Sequence, residues 1–347
     1  MAMVACRDNK NKPGVSESRI SALLAKAEGE YPAEAREKFI DSVSSELADR
    51  KNDTLTRYYY RSATKAYYSL EKYDKSARTS KKLYKLAVEA NDTLDMANAM
   101  FNAGVAYYFS NSAAKDSAFY YYSQSEKLYS KLNDLATLGE IVLYKAYIYY
   151  NAGEYQLCES EGFKALKLLQ NEKKITPVYS CYNLLATALD GQDKNEEALK
   201  YYEEALRELG EFSKEGYSDS DIALLRASCN NNRGGVYVKM KDYNKAISLY
   251  SEALKTPNLK KERTALYAKL LNNLAYAKFK SGDFTNLPQM FFKSLAIRDS
   301  LKNISGVVAS NKHLGEYFLY KEDTAAAVSY LKQAYQQADE INSHFDI

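Results

Sequence analysis

NRGGVYVKMKDYNKAISLYSEAL, Asn232–Leu254, is the stretch on which the reading of this chain turns. It reads as two helices joined by KMKDY, with apolar and small residues spaced for a helical face on either side. Two consecutive glycines, Gly234 and Gly235, fall inside the first helix, where each costs about 1 kcal/mol relative to alanine. Something beyond local propensity must offset that cost.

The chain is self-similar. Aligned on the small residue at 234, equivalent positions are Thr64, Gly104, Ala146, Ala186, Gly234, Ala275 and Gly315, spaced by 40, 42, 40, 48, 41 and 40 residues. The longer steps fit a longer turn, SNSAAKDS, and an insert, FSKEGYSDSD. Three residues beyond this slot stand Tyr67, Tyr107, Tyr149, Leu189, Tyr237, Lys278 and Phe318. A second compact slot holds Ser76, Ala118, Cys158, Ala198, Ala246, Leu287 and Ala327. An aromatic or Leu often follows four residues later: Tyr122, Tyr202, Tyr250, Phe291, Leu331. NDTL occurs at 52–55 and at 91–94, and ND returns at 133–134. Asn there can close one helix in the left-handed conformation, and Asp or Thr can cap the next.

The pattern resembles the tetratricopeptide repeat, whose motif runs Leu-Gly-x2-Tyr, then Ala-x3-Phe, then Pro. LGEYFLY (Leu314–Tyr320) and AYAKFKSGDF (Ala275–Phe284) match it closely, Trp is absent, and the closing Pro is visible only as Pro257. The resemblance covers residues 55–341 and implies an all-α, right-handed α-solenoid of about seven helical hairpins, with helices longer than the standard unit. Gly234 then belongs where two helices of a hairpin touch, and most tyrosines fill space beside the small slots.

Composition agrees. The 347 residues include 14 Gly, 5 Pro and 33 Tyr, and nothing reads as an alternating strand. With 48 basic against 45 acidic side chains, the net charge of +3 gives no footprint for nucleic acid. Cys6, Cys158, Cys181 and Cys229 lack metal or disulfide spacing, and the last three fall on apolar helix faces as small buried hydrophobes. There is no run of 18 apolar residues. The only histidines are His313 and His344, and no nucleotide, nucleophile or metal motif occurs. Neither catalysis, nor a cofactor, nor a metal, nor a small-molecule substrate is expected.

Along the chain, 1–15 reads as a polar leader and 16–50 as a capping helical hairpin with Pro32 starting its second helix. Residues 51–347 form the repeat solenoid. No polar capping helix follows the last hairpin, so either an apolar face is exposed there or the chain continues beyond Ile347.

Stacked hairpins line a concave groove with their first helices, which suits an extended peptide or a partner protein. By helical phase the lining includes Arg61, Lys65, Tyr108, Tyr147, Tyr150, Asn183, Asn231, Lys239, Asn272, Tyr276, Lys280 and Tyr320. Asparagines can donate to and accept from a peptide backbone, aromatics give rigid contact area, and Lys239 and Lys280 can hold a carboxylate. An alternative role for the asparagines is to bond between neighbouring repeats. In tetratricopeptide domains that clamp a C-terminal carboxylate, Asn and basic residues share this work. Lys269 with Asn273 matches in part, and the other basic partners are out of register.

The long period and tyrosine-rich helices also resemble the repeat regions of membrane-bound sensor histidine kinases and helix-turn-helix regulators of the Bacteroidetes. That resemblance implies a sensory, ligand-receiving segment, anchored on the periplasmic side and lacking its output domain. The alternative is a free-standing scaffold in cytoplasm or periplasm. Val4-Ala5-Cys6 matches the end of a lipoprotein signal, with RDNKNKP as tether, although the preceding apolar run is missing. Cys6 is thus either a lipidation site behind an upstream start or an ordinary terminal residue.

Overall fold

The computed structural model describes residues 18–110, 115–170, 172 and 175–340. The leader 1–15 with Cys6, residues 111–114 of the longer turn, and His344 lie outside the described residues. Every regular element among those described is helical. The chain divides into two compact units at residues 174 and 175.

The first unit contains α1 (Ser18–Glu28), α2 (Ala33–Ala48), α3 (Thr54–Ser69), α4 (Tyr73–Glu89), α5 (Thr93–Ser110), α6 (Lys115–Leu132), α7 (Leu135–Asn151) and α8 (Tyr155–Gln170). They pair as four hairpins, and α2, α4 and α6 also pack on the first helix of the hairpin that follows. The second unit contains α9 (Ile175–Gly191), α10 (Asn195–Leu209), a 3-10 turn (Phe212–Glu215), α11 (Asp219–Lys239) and α12 (Tyr243–Leu254). It continues through a short α13 (Leu259–Glu262) to α14 (Thr264–Ser281), α15 (Leu287–Ser300), α16 (Ile304–Tyr320) and α17 (Thr324–Glu340). Here α9/α10, α11/α12, α14/α15 and α16/α17 are the hairpins. The fold is the α-solenoid of tetratricopeptide-like hairpins that the repeat implies. Among the described residues no helix is long and apolar enough to cross a membrane.

Six of the hairpins turn in one way. Seven residues beyond the slot, the backbone enters the left-handed region at Glu71, Gly153, Asp193, Lys241, Gly282 and Glu322. The next N–H then reaches back to the carbonyl three residues beyond the slot: Lys72 to Tyr67, Glu154 to Tyr149, Asp242 to Tyr237 and Asp283 to Lys278, each at 2.9 Å. Lys194 to Leu189 and Asp323 to Phe318 repeat the bond at 3.0 Å. This is a helix stop that satisfies an orphan carbonyl. Only Gly153 and Gly282 adopt it without a Cβ penalty; elsewhere the hairpin contacts hold a Glu, Asp or Lys there. Two of the three junctions behave as NDTL and ND suggest; Asn52 does not enter the left-handed region, and its side-chain amide instead donates to the Leu86 carbonyl at 2.9 Å. Asn91 and Asn133 are left-handed, and Asp53, Asp92 and Asp134 accept from the N–H groups of Thr56, Asp95 and Thr137.

All seven first slots are buried, and so are all seven second slots. Within a hairpin the two meet directly in α3/α4, where the Ser76 hydroxyl donates to the Thr64 carbonyl at 3.0 Å. A Cβ on Gly104 would lie 2.6 Å from the Tyr122 ring, and one on Gly315 2.6 Å from Leu331. On Gly234 it would lie 2.4 Å from Tyr250. Tyr122, Tyr202 and Tyr250 are essentially inaccessible to water, so their apolar bodies form the hairpin cores. Cys158, Cys181 and Cys229 are buried, and desolvation raises all three thiols, Cys158 and Cys229 to about 12.

The insert is ordered by the helix it faces. Phe212 is buried and rings with Tyr179 and Tyr217, while the Glu215 carboxylate accepts from the Ile175 and Thr176 N–H groups at 2.9 and 3.1 Å. An anion at that point satisfies the open first turn of α9.

Candidate functional site

The candidate site is the wall of first helices in each unit. In the first unit these are α3, α5 and α7. Arg61 is committed to an ion pair with Asp95 on α5, 3.0 Å, beside Arg57, which binds Asp95 at 3.0 Å and Asp92 at 3.1 Å. Asp95 is 3% exposed, and desolvation pushes its pKa up against the two guanidiniums. Lys65 is half-exposed. Tyr108 carries Lys115 over its ring at 4.0 Å and receives a hydrogen bond from Asn151 at 3.1 Å. Its ring joins Phe109 and Tyr144, and Phe109 leads on to Tyr68 and Tyr73. Tyr147 and Tyr150 are half-buried on α7, Tyr150 against Tyr155.

The second unit has four first helices, α9, α11, α14 and α16. Asn183 and Thr187 are half-buried on α9. Lys239 on α11 is held by Asp190 at 2.9 Å and Asp193 at 3.4 Å, so its charge is already answered within the fold. Burial lowers its pKa and the Asp190 hydrogen bond more than restores it, leaving the ammonium above its ordinary value.

The phase reading placed Asn231 and Asn272 on the groove wall. Both are buried instead, at 2% and 0% exposure, in the seam between adjacent first helices. Asn231 accepts from Asn273 at 3.0 Å, and Asn272 bonds the His313 Nδ1 at 2.7 Å. Phe101 meets Tyr144 in the same register at 5.8 Å. In each pair the residue three before one slot meets the residue two before the next. Adjacent helices about 10 Å apart cover that flank, which single-helix phase cannot anticipate.

Tyr276 lies in the next layer. Its ring stacks on His313 at 3.9 Å and 12°, and its hydroxyl donates to Glu316 at 3.0 Å. Lys280 approaches Glu316 at 3.7 Å and the Tyr276 ring at 5.5 Å. Desolvation first, then Arg298, Lys312 and Lys280, push His313 down to about 3, so the ring is neutral at physiological pH. Tyr320 is exposed and stacks on Phe284 at 5.2 Å.

The arrangement leaves one polar edge open. Asn231 donates to the Asn232 oxygen at 3.1 Å and accepts from the Asn273 amide at 3.0 Å. That three-amide ladder keeps a donor at one end, the Asn232 Nδ2, and an acceptor at the other, the Asn273 Oδ1. Both end residues are half-exposed, and Lys269 stands exposed one turn before Asn273. The phase reading missed Asn232 as an end group and His313 as a seam residue. The one signal of Asn232 in sequence is the run CNNNRGG at 229–235, whose three consecutive asparagines in a helix lack a propensity reason. Among the described residues no group of three or more His, Cys, Asp or Glu is placed to hold a metal ion.

No protein-family model matches the chain. Among solved structures it is similar to the apo form of RapI, with TM-score 0.63 and 18% identity, covering 96% of this chain and 100% of that one. It is similar to the apo quorum sensor NprR from B. thuringiensis, with TM-score 0.60 and 16% identity over 93% and 99% of the two chains. NprR in complex with its cognate peptide NprX aligns with TM-score 0.59 and 17% identity over 92% and 88%. At these identities the likeness is one of fold.

Proposed function

We propose that the chain is a peptide- or protein-binding repeat domain, and that the first-helix wall of the second unit takes an extended segment by its backbone. One observation carries this: the Asn232–Asn231–Asn273 ladder ends in one open donor and one open acceptor, the two kinds of group that a peptide main chain answers with its C=O and N–H. Lys269 beside it suits an acidic side chain or terminal carboxylate. The same fold in NprR is described with a peptide bound, which supports the reading. The domain recognises; it is assigned no reaction of its own.

Selection of binders from a random dodecapeptide library tests this. Asn232→Ala with Asn273→Ala removes both open groups and should weaken a selected peptide by about 1–2 kcal/mol, roughly five- to thirtyfold. The double variant also leaves the buried Asn231 without either of its partners, so unfolding is measured beside affinity, whereas substitution of Asn231 or Asn272 itself reports mainly on stability. Unchanged affinity in a folded double variant removes the ladder from the site.

The cellular setting is a further part of the proposal. The repeat character and the quorum-sensor description of NprR favour a sensory role, and Val4-Ala5-Cys6 favours lipid anchoring on the periplasmic side. Mass spectrometry of the mature N-terminus, after expression from the native upstream sequence, tests the anchor. An unmodified Cys6 with its preceding residues attached refutes it and favours the scaffold.

A further inference from the structure

Gly234 is explained by Tyr250; Gly235 is not. It lies inside α11, is half-exposed, and has a helical backbone that any residue adopts. A Cβ built on it meets nothing within 4 Å. Neither packing nor turn geometry asks for glycine, and helix propensity argues against it. Glycine in such a place lets another main chain approach closely. Its surroundings are those of the proposed site. Asn231, one turn earlier on the same face, is the centre of the amide ladder, and Asn232, three residues earlier, is its open donor end. The equivalent residues on the flanking helices are Thr187 on α9 and Tyr276 on α14, both with side chains, so α11 is the bare strip between them.

We infer that Gly235 is a specificity-determining residue for that surface. Its missing side chain lets the main chain of a bound extended peptide settle on α11, within reach of Asn232 and Asn273. This inference rests on the peptide-binding reading and names the residue that sets how closely the ligand approaches.

The probe is a peptide selected on the wild-type protein from the random dodecapeptide library. Gly235→Ala and Gly235→Leu are measured for affinity by titration and for stability by thermal melting. The expected result is a loss of about tenfold or more for Leu and a smaller loss for Ala. Neither variant should melt below the wild type, since the added atoms project into open space and glycine leaves a helix interior. Gly235→Leu binding within about twofold of wild type, while Asn232→Ala with Asn273→Ala still weakens it, overturns the role of Gly235 alone. A lower melting temperature for Gly235→Ala would show that the glycine serves the fold, and also overturns it. A library that yields no binder overturns the peptide reading and this inference together.

Discussion

A Cβ on Gly234 would stand 2.4 Å from the Tyr250 ring, and that ring is 1% exposed. Gly234→Ala should therefore destabilise the protein by about 1–3 kcal/mol through overpacking, outweighing the better helix propensity of alanine. Urea unfolding measures it. Adding Tyr250→Leu should recover part of the loss, because the two residues share one contact. His313 makes a second residue-scale case. Its unfolded value is near the ordinary 6.5, while the fold holds it neutral down to about 3. Between those values the unfolded chain binds the extra proton, so stability is full above about pH 6.5 and falls as pH drops, by up to about 1.4 kcal/mol per unit. His313→Gln should remove that slope between pH 6 and 4. An identical slope in the variant would assign the acid sensitivity to other groups.

At the scale of elements, the seams between first helices carry buried polar pairs whose loss leaves partners unsatisfied. Asn272→Ala strips His313 of its 2.7 Å bond, and Asn231→Ala breaks the ladder at its centre. Each should cost about 1–3 kcal/mol in unfolding free energy, measured by denaturant titration. The α3–α5 seam is ionic instead, with Asp95 between Arg57 and Arg61. Asp95→Asn leaves two guanidiniums facing a neutral amide, one of them 7% exposed, and should cost about 3 kcal/mol or more. A loss below about 0.5 kcal/mol would mean that solvent already screens the pair. The hairpin turns are the third recurrent element. Their left-handed residue includes Glu71, Asp193, Lys241 and Glu322, which turn chemistry alone would not select. The paired helices impose the conformation.

At the scale of the molecule, the hairpins within each unit pack mainly on their neighbours in the chain, so a lesion should spread by nearest-neighbour contacts and fade. In hydrogen exchange, Gly234→Ala should speed exchange in α11 and α12, less in α10 and α14, and leave α17 as in the wild type. Uniform loss of protection through α17 would mean that the second unit opens as one block.

The repeat, its phase and the hairpins are legible in the amino-acid order alone. Small residues at 64, 104, 146, 186, 234, 275 and 315 are set by contact within a hairpin, between helices close in the chain, and such local constraints leave a periodic trace. The sequence also marks Asn91 and Asn133 as helix stops, because Asn tolerates a left-handed backbone better than most residues with a side chain. Which residues of the first helices face a ligand was decided only by tertiary structure. Phase on one helix could not separate Asn231 and Asn272, buried in a seam, from Asn232 and Asn273 at its open edge. That distinction depends on how the next helix, about 40 residues away, crosses the first. Nor could sequence divide the two glycines: only the position of the Tyr250 ring shows that Gly234 fills a contact and Gly235 leaves one open.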